Sequence, residues 1–174
     1  MSDFLLKEIE KRRTVRNFSE EKVVLEKDLE LMIIAAGRAP SSYNAQPWRF
    51  VYAHKSSDLG KQLFSFLLPA NQAWASGAQW FVLLGVHETI EHKNNVVFNK
   101  MAEFDAGAAS QNFSLQAVHS GFATAVVGGF DHAGAQQLAG DYMRPLCMIV
   151  VGFSADSTVA TSSRKSIQEI SKKA

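Results

Sequence analysis

Hydrophobic and polar positions along the chain fall into two periods. Leu25, Leu29, Met32, Ile33 and Ala36 recur at helical spacing and predict a helix over residues 25–36, with Gly37 suited to its C-cap. Phe4, Leu5 and Ile9 share one face of an earlier helix running to Arg13, which Ser2 or Asp3 can cap. Residues 48–52 alternate and read as a strand with a large aromatic face. Ser57-Asp58 can cap a third helix through Leu67, which Pro69 ends, and residues 70–77 then read as a polar connector containing Asn71. Trp80–Val86 is a short continuous apolar run, typical of a central strand. Residues 87–100 are polar and predict an exposed loop or short helix. A long helix rich in Ala, Ser and Gln covers 101–122, followed by an extended piece over 123–129 and a helix over 133–139. Residues 146–152 form another buried strand. No repeat or internal linker interrupts this order, which predicts a layered arrangement of helices and strands in one domain over 1–174.

The distribution of charge adds a constraint. No Asp, Glu, Lys or Arg occurs over residues 62–87, nor over 106–130. A helix exposed on one side carries charge on that side, so a charge-free helix is covered all round. Two accounts fit: a subunit interface covers part of these segments, or a central helix is wrapped by its own chain.

Composition bounds the function. At 174 residues the chain can bury roughly two thirds of its unfolded surface. A net charge of +1 supplies no general field for nucleic acid or an anionic membrane. No apolar run reaches the ~18 residues of a membrane span. The opening residues carry no signal-peptide core, and one cysteine, Cys147, allows no internal disulfide, so a cytoplasmic location is expected. The triplets Asn17-Phe18-Ser19 and Asn112-Phe113-Ser114 match the glycosylation pattern, which chance explains.

Candidate chemistry concentrates in two places. Residues 39–50 hold two prolines, two hydroxyls, two carboxamides and an indole between a helix and a strand. Ser41 and Ser42 can bond ring carbonyls or backbone, and Asn44 can both donate and accept, which suits the alternating edge of a pyrimidine. A self-bonded turn is the alternative, since Asn and Ser cap their own turns. The basic run Arg12-Arg13-Thr14-Val15-Arg16 is the second place. Like charges four apart repel by a few tenths of a kcal/mol, and a bound phosphate reverses that sign, because guanidinium forks match phosphate oxygens. A solvated basic turn is the alternative, given Glu8, Glu10, Glu20 and Glu21 nearby. Together the two places suggest a phosphorylated aromatic cofactor, with flavin mononucleotide (FMN) the best candidate.

Residues 12–18 and then 36–50 resemble the signature of the FMN-dependent nitroreductase family. Asp105 through Asn112, with Leu115, Ala117 and Gly121, is similar to that family's long central helix. Val127-Gly128-Gly129-Phe130 resembles its flavin-edge loop, and Ser163-Arg164-Lys165 its C-terminal phosphate-contacting element, so the resemblance runs over about residues 9–167. It implies an α+β fold of three layers, α/β/α, with a mixed, largely antiparallel central sheet flanked by helices. It also implies a homodimer with two flavin sites at the interface, where the long helix packs. Arg12, Arg13, Thr14 and Arg16 would meet FMN from one subunit, with Arg164 or Lys165 completing the phosphate site. Asn71 would meet the pyrimidine edge, and Gly128 and Gly129 would bring backbone N–H groups to the ring, as the missing Cβ permits. Pro40, Ser41, Ser42, Asn44 and Gln46 would come from the partner's loop. The implied reaction is ping-pong hydride transfer from NAD(P)H, a transient reductant, to a nitroaromatic or quinone. No side chain need act as a catalytic nucleophile, because the cofactor carries the chemistry. A flavin-dependent dehydrogenase or dehalogenase, or a non-catalytic flavin carrier or sensor, are the alternatives on the same scaffold.

The chain departs from that family's pattern twice. Many members are longer and carry a helical insertion over the substrate site, for which 87–104 leaves little room. Gly128 stands where some members have an acidic residue. Other chemistries find less support. No Gly-x-Gly-x-x-Gly follows a strand, and the five histidines are scattered without metal-ligand spacing. Cys147, inside an apolar strand, reads as an inert thiol. Trp48, Trp74 and Trp80 read as packing residues, with Trp74, beside Asn71, the best candidate for another role.

Overall fold

The computed structural model describes residues 4–156 and 161–173. At its centre lies strand β3 (Trp80–Val86), buried at every position. Its continuous apolar run allows this, since a strand covered on both faces needs no polar side. β2 (Trp48–His54) pairs antiparallel with one edge of β3, and β7 (Arg144–Ser154) with the other. β6 (Ala123–Val127) pairs antiparallel with the far edge of β7, giving the order β2–β3–β7–β6. A two-residue β1 (Phe18–Ser19) joins the end of β7. A parallel bridge from Thr14 to Thr124 lays the basic run along β6, so the sheet is mixed but largely antiparallel.

Helices cover both faces. Phe81, Leu83, Met148 and Val150 pack with Leu63 and Phe66 of α3 (Asp58–Phe66), Ala75 of α4 (Pro69–Ala75) and Ala135 and Ala139 of α6 (His132–Ala139). Their alternate neighbours Trp80, Val82, Leu84, Ile149 and Val151 pack with Leu29, Met32 and Ala36 of α2 (Glu26–Ala36) and with Ala106, Ala109, Phe113 and Ala117 of α5 (Ala102–His119). The period of two in the strands therefore divides one sheet between two cores, and the fold is the expected three-layer α+β arrangement. Ser57 caps α3 as predicted, accepting from the Gly60 N–H at 3.0 Å. A Cβ on Gly60 would lie 1.9 Å from the His54 carbonyl oxygen, so only glycine lets α3 approach β2 this closely.

Three expectations need correction. The first helix, α1, spans only Lys7–Lys11 and touches α5, and Phe4, Leu5 and Ile9 remain 93%, 55% and 46% exposed, so their expected shared face is not buried against the described residues. Its expected caps, Ser2 and Asp3, lie outside the described residues. Residues 70–77 are not a polar connector: Pro69 begins α4 instead of merely closing α3. Proline suits a first helical position, where its fixed φ is already helical and its missing N–H would have no partner. Residues 87–100 form neither loop nor helix but a hairpin, β4 (Thr89–His92) and β5 (Asn95–Phe98). Lys93 and Asn94 both hold positive φ at its tip, the geometry that matches strand twist in a two-residue turn. Arg144 anchors its base to α5, bonding Glu88 at 2.6 Å and Glu103 at 2.5 Å.

The two charge-free segments separate. Residues 62–87 include the interior strand β3, charge-free because its own chain buries it, whereas exposed positions in 62–77, such as Gln62, Ser65 and Ala73, are uncharged without that cover. In α5 one face is buried, while Gly107 and Gln111 are exposed and Ser110, Asn112 and Leu115 only half-buried. Beside it a cleft of about 620 Å³ runs between α5, α2 and the α1 segment, lined by Leu6, Leu31, Ile34 and Leu115. No described helix is long and apolar enough to cross a membrane.

Candidate functional site

The chain leaves α1 at Arg12 and is bridged to β6 at Thr14, with Arg12 and Thr14 turned to the α5 side and both Val15 and Arg16 to the α4 side. Val15 enters the core shared with α3, α4 and α6. Arg12 and Thr14 line a cleft of about 450 Å³ on the α5 side, with Ser110, Ser114, Thr124 and Cys147. Arg16 lies over the indole of Trp74, its guanidinium carbon 6.0 Å from the ring centroid.

The carboxylates near the arginines in sequence are engaged elsewhere. Glu8 pairs with His119 at 2.9 Å, and Glu20 with Lys55 at 2.9 Å. Arg13 folds onto its own backbone, donating to the carbonyls of Glu10 and Arg12 at 2.5 and 2.8 Å. Among the described residues, Arg12 and Arg16 have no acidic partner. The nearby Glu8 and Glu20 therefore do not neutralise Arg12 or Arg16, of which Arg16 is exposed and Arg12 half-buried.

Residues 58 apart meet at α4, one turn before the Trp74 that lies under Arg16. Asn71, in the first turn of α4, donates from Nδ2 to the Gly129 carbonyl at 2.8 Å. Leu68 N–H reaches the same oxygen at 3.4 Å. The N–H groups of Gly128 and Gly129 have no hydrogen-bond partner among the described residues. A Cβ on Gly129 would sit 3.1 Å from Asn71 Nδ2, whereas one on Gly128 would meet nothing within 4 Å. Backbone donors held open in this way, with an unpaired guanidinium over the same helix, are suited to an anionic, hydrogen-bond-accepting molecule.

The loop over residues 39–47 lies on the other layer. Ser42 N–H donates to Asp105 Oδ2 of α5 at 3.0 Å, Gln46 N–H to Ser41 Oγ at 3.0 Å, and Gln46 Nε2 to the Asn44 carbonyl at 3.2 Å, while the Gln46 and Pro47 carbonyls accept from Arg49 Nη1 at 3.0 Å and His87 N–H at 2.8 Å. Tyr43, Asn44 and Gln46 hold φ of 52°, 53° and 46°. Three non-glycine residues in the left-handed region are strained, and strain of that kind gathers where a chain clamps a ligand. Pro40, Asn44 and Gln46 are exposed, Ser41 and Ser42 half-buried. Within one chain this loop and the Asn71–Gly129 pair stand on opposite faces of the sheet. Arg164 and Lys165 lie in an exposed stretch, where Arg164 donates to the carbonyls of Ser162 and Ser163 at 3.1 Å.

Two contributors were not among the expected site residues. Asp105, 4% exposed, holds the Ser42 backbone. Its signal in the sequence is its place as the last charge before the charge-free stretch 106–130. Trp74 was read chiefly as packing, and its pairing with Arg16 depends on α4, which sequence periodicity did not reveal. Cys147 lines the Arg12 cleft, and burial pushes its thiol up to about 11, as expected for an inert sulfur. Among the described residues no cluster of His, Cys, Asp or Glu is arranged for a metal ion.

The fold has relatives among known proteins. An oxidoreductase containing FMN superposes with a TM-score of 0.81 at 28% identity, covering 90% of this chain and 80% of that one. A nitroreductase family protein from Streptococcus pneumoniae shares the fold with a TM-score of 0.82 at 22% identity, over 97% of this chain and 98% of that one. An iodotyrosine deiodinase of Thermotoga neapolitana is 56% identical over 41 residues, a match spanning 24% of this chain and 22% of that enzyme. The nitroreductase family model matches residues 9–73 and 61–153, well over half the sequence, and on that ground the chain belongs to the nitroreductase family.

Proposed function

We propose that this chain is an FMN-dependent oxidoreductase, reduced by NAD(P)H and working as a homodimer with a flavin site at each end of the interface. The observation that carries the reading is the Asn71–Gly129 hydrogen bond, formed beside two backbone N–H groups without a partner among the described residues and on the same short helix whose Trp74 lies under the unpaired Arg16. FMN, when bound, would supply the hydride-transfer chemistry between the nicotinamide and an electron-poor acceptor such as a nitroaromatic or quinone. The protein's part is to hold and polarise. Arg12, Thr14 and Arg16 grip the phosphate and neighbouring ring region, with Arg13, Arg164 and Lys165 adding positive charge. Asn71 keeps the Gly128-Gly129 backbone aimed at the heterocycle, where its N–H groups stabilise developing negative charge.

The loop of Pro40, Ser41, Ser42, Asn44 and Gln46 serves the partner's site, since within its own chain it lies on the opposite layer from Asn71. The half-polar face of α5 and the apolar cleft lined by Leu31 and Ile34 form the dimer contact. Reductive dehalogenation is the second reading, favoured by the 41-residue likeness to the iodotyrosine deiodinase.

One set of anaerobic measurements tests both. Purified protein reconstituted with FMN is mixed with NADH or NADPH, and bleaching near the flavin's visible maximum is followed. Rapid bleaching, then recovery of colour on adding a nitroaromatic or quinone, is the expected result. Iodide release from iodotyrosine, with slow recovery by nitroaromatics, favours the second reading. Binding of FMN without reduction by either nucleotide rejects the oxidoreductase in favour of a carrier or sensor.

A further inference from the structure

Helix α4 carries two chemically distinct groups three residues apart, hence on one face. The first, Asn71, pins the Gly129 carbonyl. The second, Trp74, is half-buried and rests on the α3/α4/α6 core, with its ring stacked on buried Phe18 at 6.2 Å and 28°. Arg16, exposed and without an acidic partner among the described residues, lies over that same indole at 6.0 Å. An unpaired arginine samples many rotamers, and fixing it on a ligand costs conformational entropy. A guanidinium stacked on an aromatic face has lost part of that freedom before the ligand arrives.

We infer that Trp74 is a positioning residue: its Phe18-braced ring holds the Arg16 guanidinium ready for the anionic cofactor, so that one short helix sets both the cation and the open glycine backbone. The inference rests on the FMN reading above and assigns to Trp74 no contact with the cofactor. α4 then acts as a bracket. Displacing it would disturb the charge grip and the Gly128-Gly129 backbone together, although 58 residues separate Asn71 from Gly129.

The test is a double-mutant cycle on FMN affinity, read by quenching of flavin fluorescence as apo-protein is titrated with FMN. Trp74→Leu keeps an apolar side chain and removes the ring face; Trp74→Phe keeps a ring. Trp74→Leu should weaken FMN binding about fivefold, and Trp74→Phe should restore most of that loss. In an Arg16→Gln background, Trp74→Leu should have no further effect. Equal losses in both backgrounds, or failure of Trp74→Phe to rescue a variant that melts like wild type, overturn the role. A second readout needs no flavin. The Arg16 Hε resonance of the apo-protein should sit upfield through the indole ring current and return towards its ordinary position in Trp74→Leu. If that shift is present while wild-type protein takes up no FMN, the function reading has failed, and the positioning role with it, although the Arg16–Trp74 pair is real. If wild type binds FMN and the shift is absent, only the role of Trp74 has failed.

Discussion

Asn71 Nδ2 and the carbonyl oxygen of Gly129 are joined by a 2.8 Å hydrogen bond across 58 residues of sequence. It closes the α4 layer onto the end of β6 and engages the Gly129 carbonyl, while the N–H groups of Gly128 and Gly129 have no partner among the described residues. Asn71→Leu keeps the volume and removes the donor. It should cost about 1 kcal/mol of stability and weaken FMN binding by a similar free energy, read by urea unfolding and by flavin titration. Gly129→Ala should act in the same direction, since its Cβ presses on Asn71 at 3.1 Å, whereas Gly128→Ala meets open space in the ligand-free fold. Equal urea midpoints for the two alanine variants would contradict this assignment.

Arg16 has no competing carboxylate among the described residues, so its loss should fall on the cofactor and spare the fold. Arg16→Ala should bind FMN more weakly by about 2 kcal/mol while keeping its circular dichroism spectrum. The ratio of visible to ultraviolet absorbance after gel filtration reads this directly. A variant that stays as yellow as wild type removes Arg16 from the phosphate grip.

Ile34 is 59% exposed on α2 and lines the cleft beside α5, with Leu31 and Leu6. Ile34→Glu should leave the monomer folded, because the side chain serves no core within the chain, and should split the proposed dimer by placing charge in an apolar contact. Light scattering after size exclusion is expected to give twice the chain mass for wild type and once for the variant, with flavin lost in parallel. A wild-type monomer that retains FMN would show that the partner's loop is not needed.

Burial pushes the Cys147 thiol from its ordinary 9.0 up to about 11. A proton held more tightly in the folded than in the unfolded state gives a contribution fully present below pH 9.0, which is lost as pH rises from there towards 11. Cys147→Ala should flatten this alkaline loss and change stability near pH 7 much less. Urea midpoints from pH 7 to 10.5 for both proteins decide the matter; parallel curves throughout would show that Cys147 contributes nothing to it.

What the sequence by itself determined is what a local pattern can carry. The seven-residue apolar run announced β3 at its observed bounds, Trp80–Val86, because a strand buried on both faces has no polar alternation to disguise it. Helical spacing announced α2, a run rich in Ala, Ser and Gln announced α5, and Ser57 announced the cap of α3, since each depends on residues close to one another in sequence. The resemblance in residues 12–18 and 36–50 named the family before any contact was known. Tertiary structure alone decided the rest. The polar letters of 70–77 hid α4, whose start at Pro69 is stabilised by packing of Ala75 into the core and not by periodicity. The two-residue turn at Lys93-Asn94 lay unread within a polar stretch, because its positive φ values are a backbone choice that composition only hints at. Above all, whether Arg16 is paired or open, and whether Asn71 faces Gly129 or water, depends on where the chain travels between them. No window of sequence contains both partners of such a contact, and only the packed sheet and its two helical layers bring them within bonding distance.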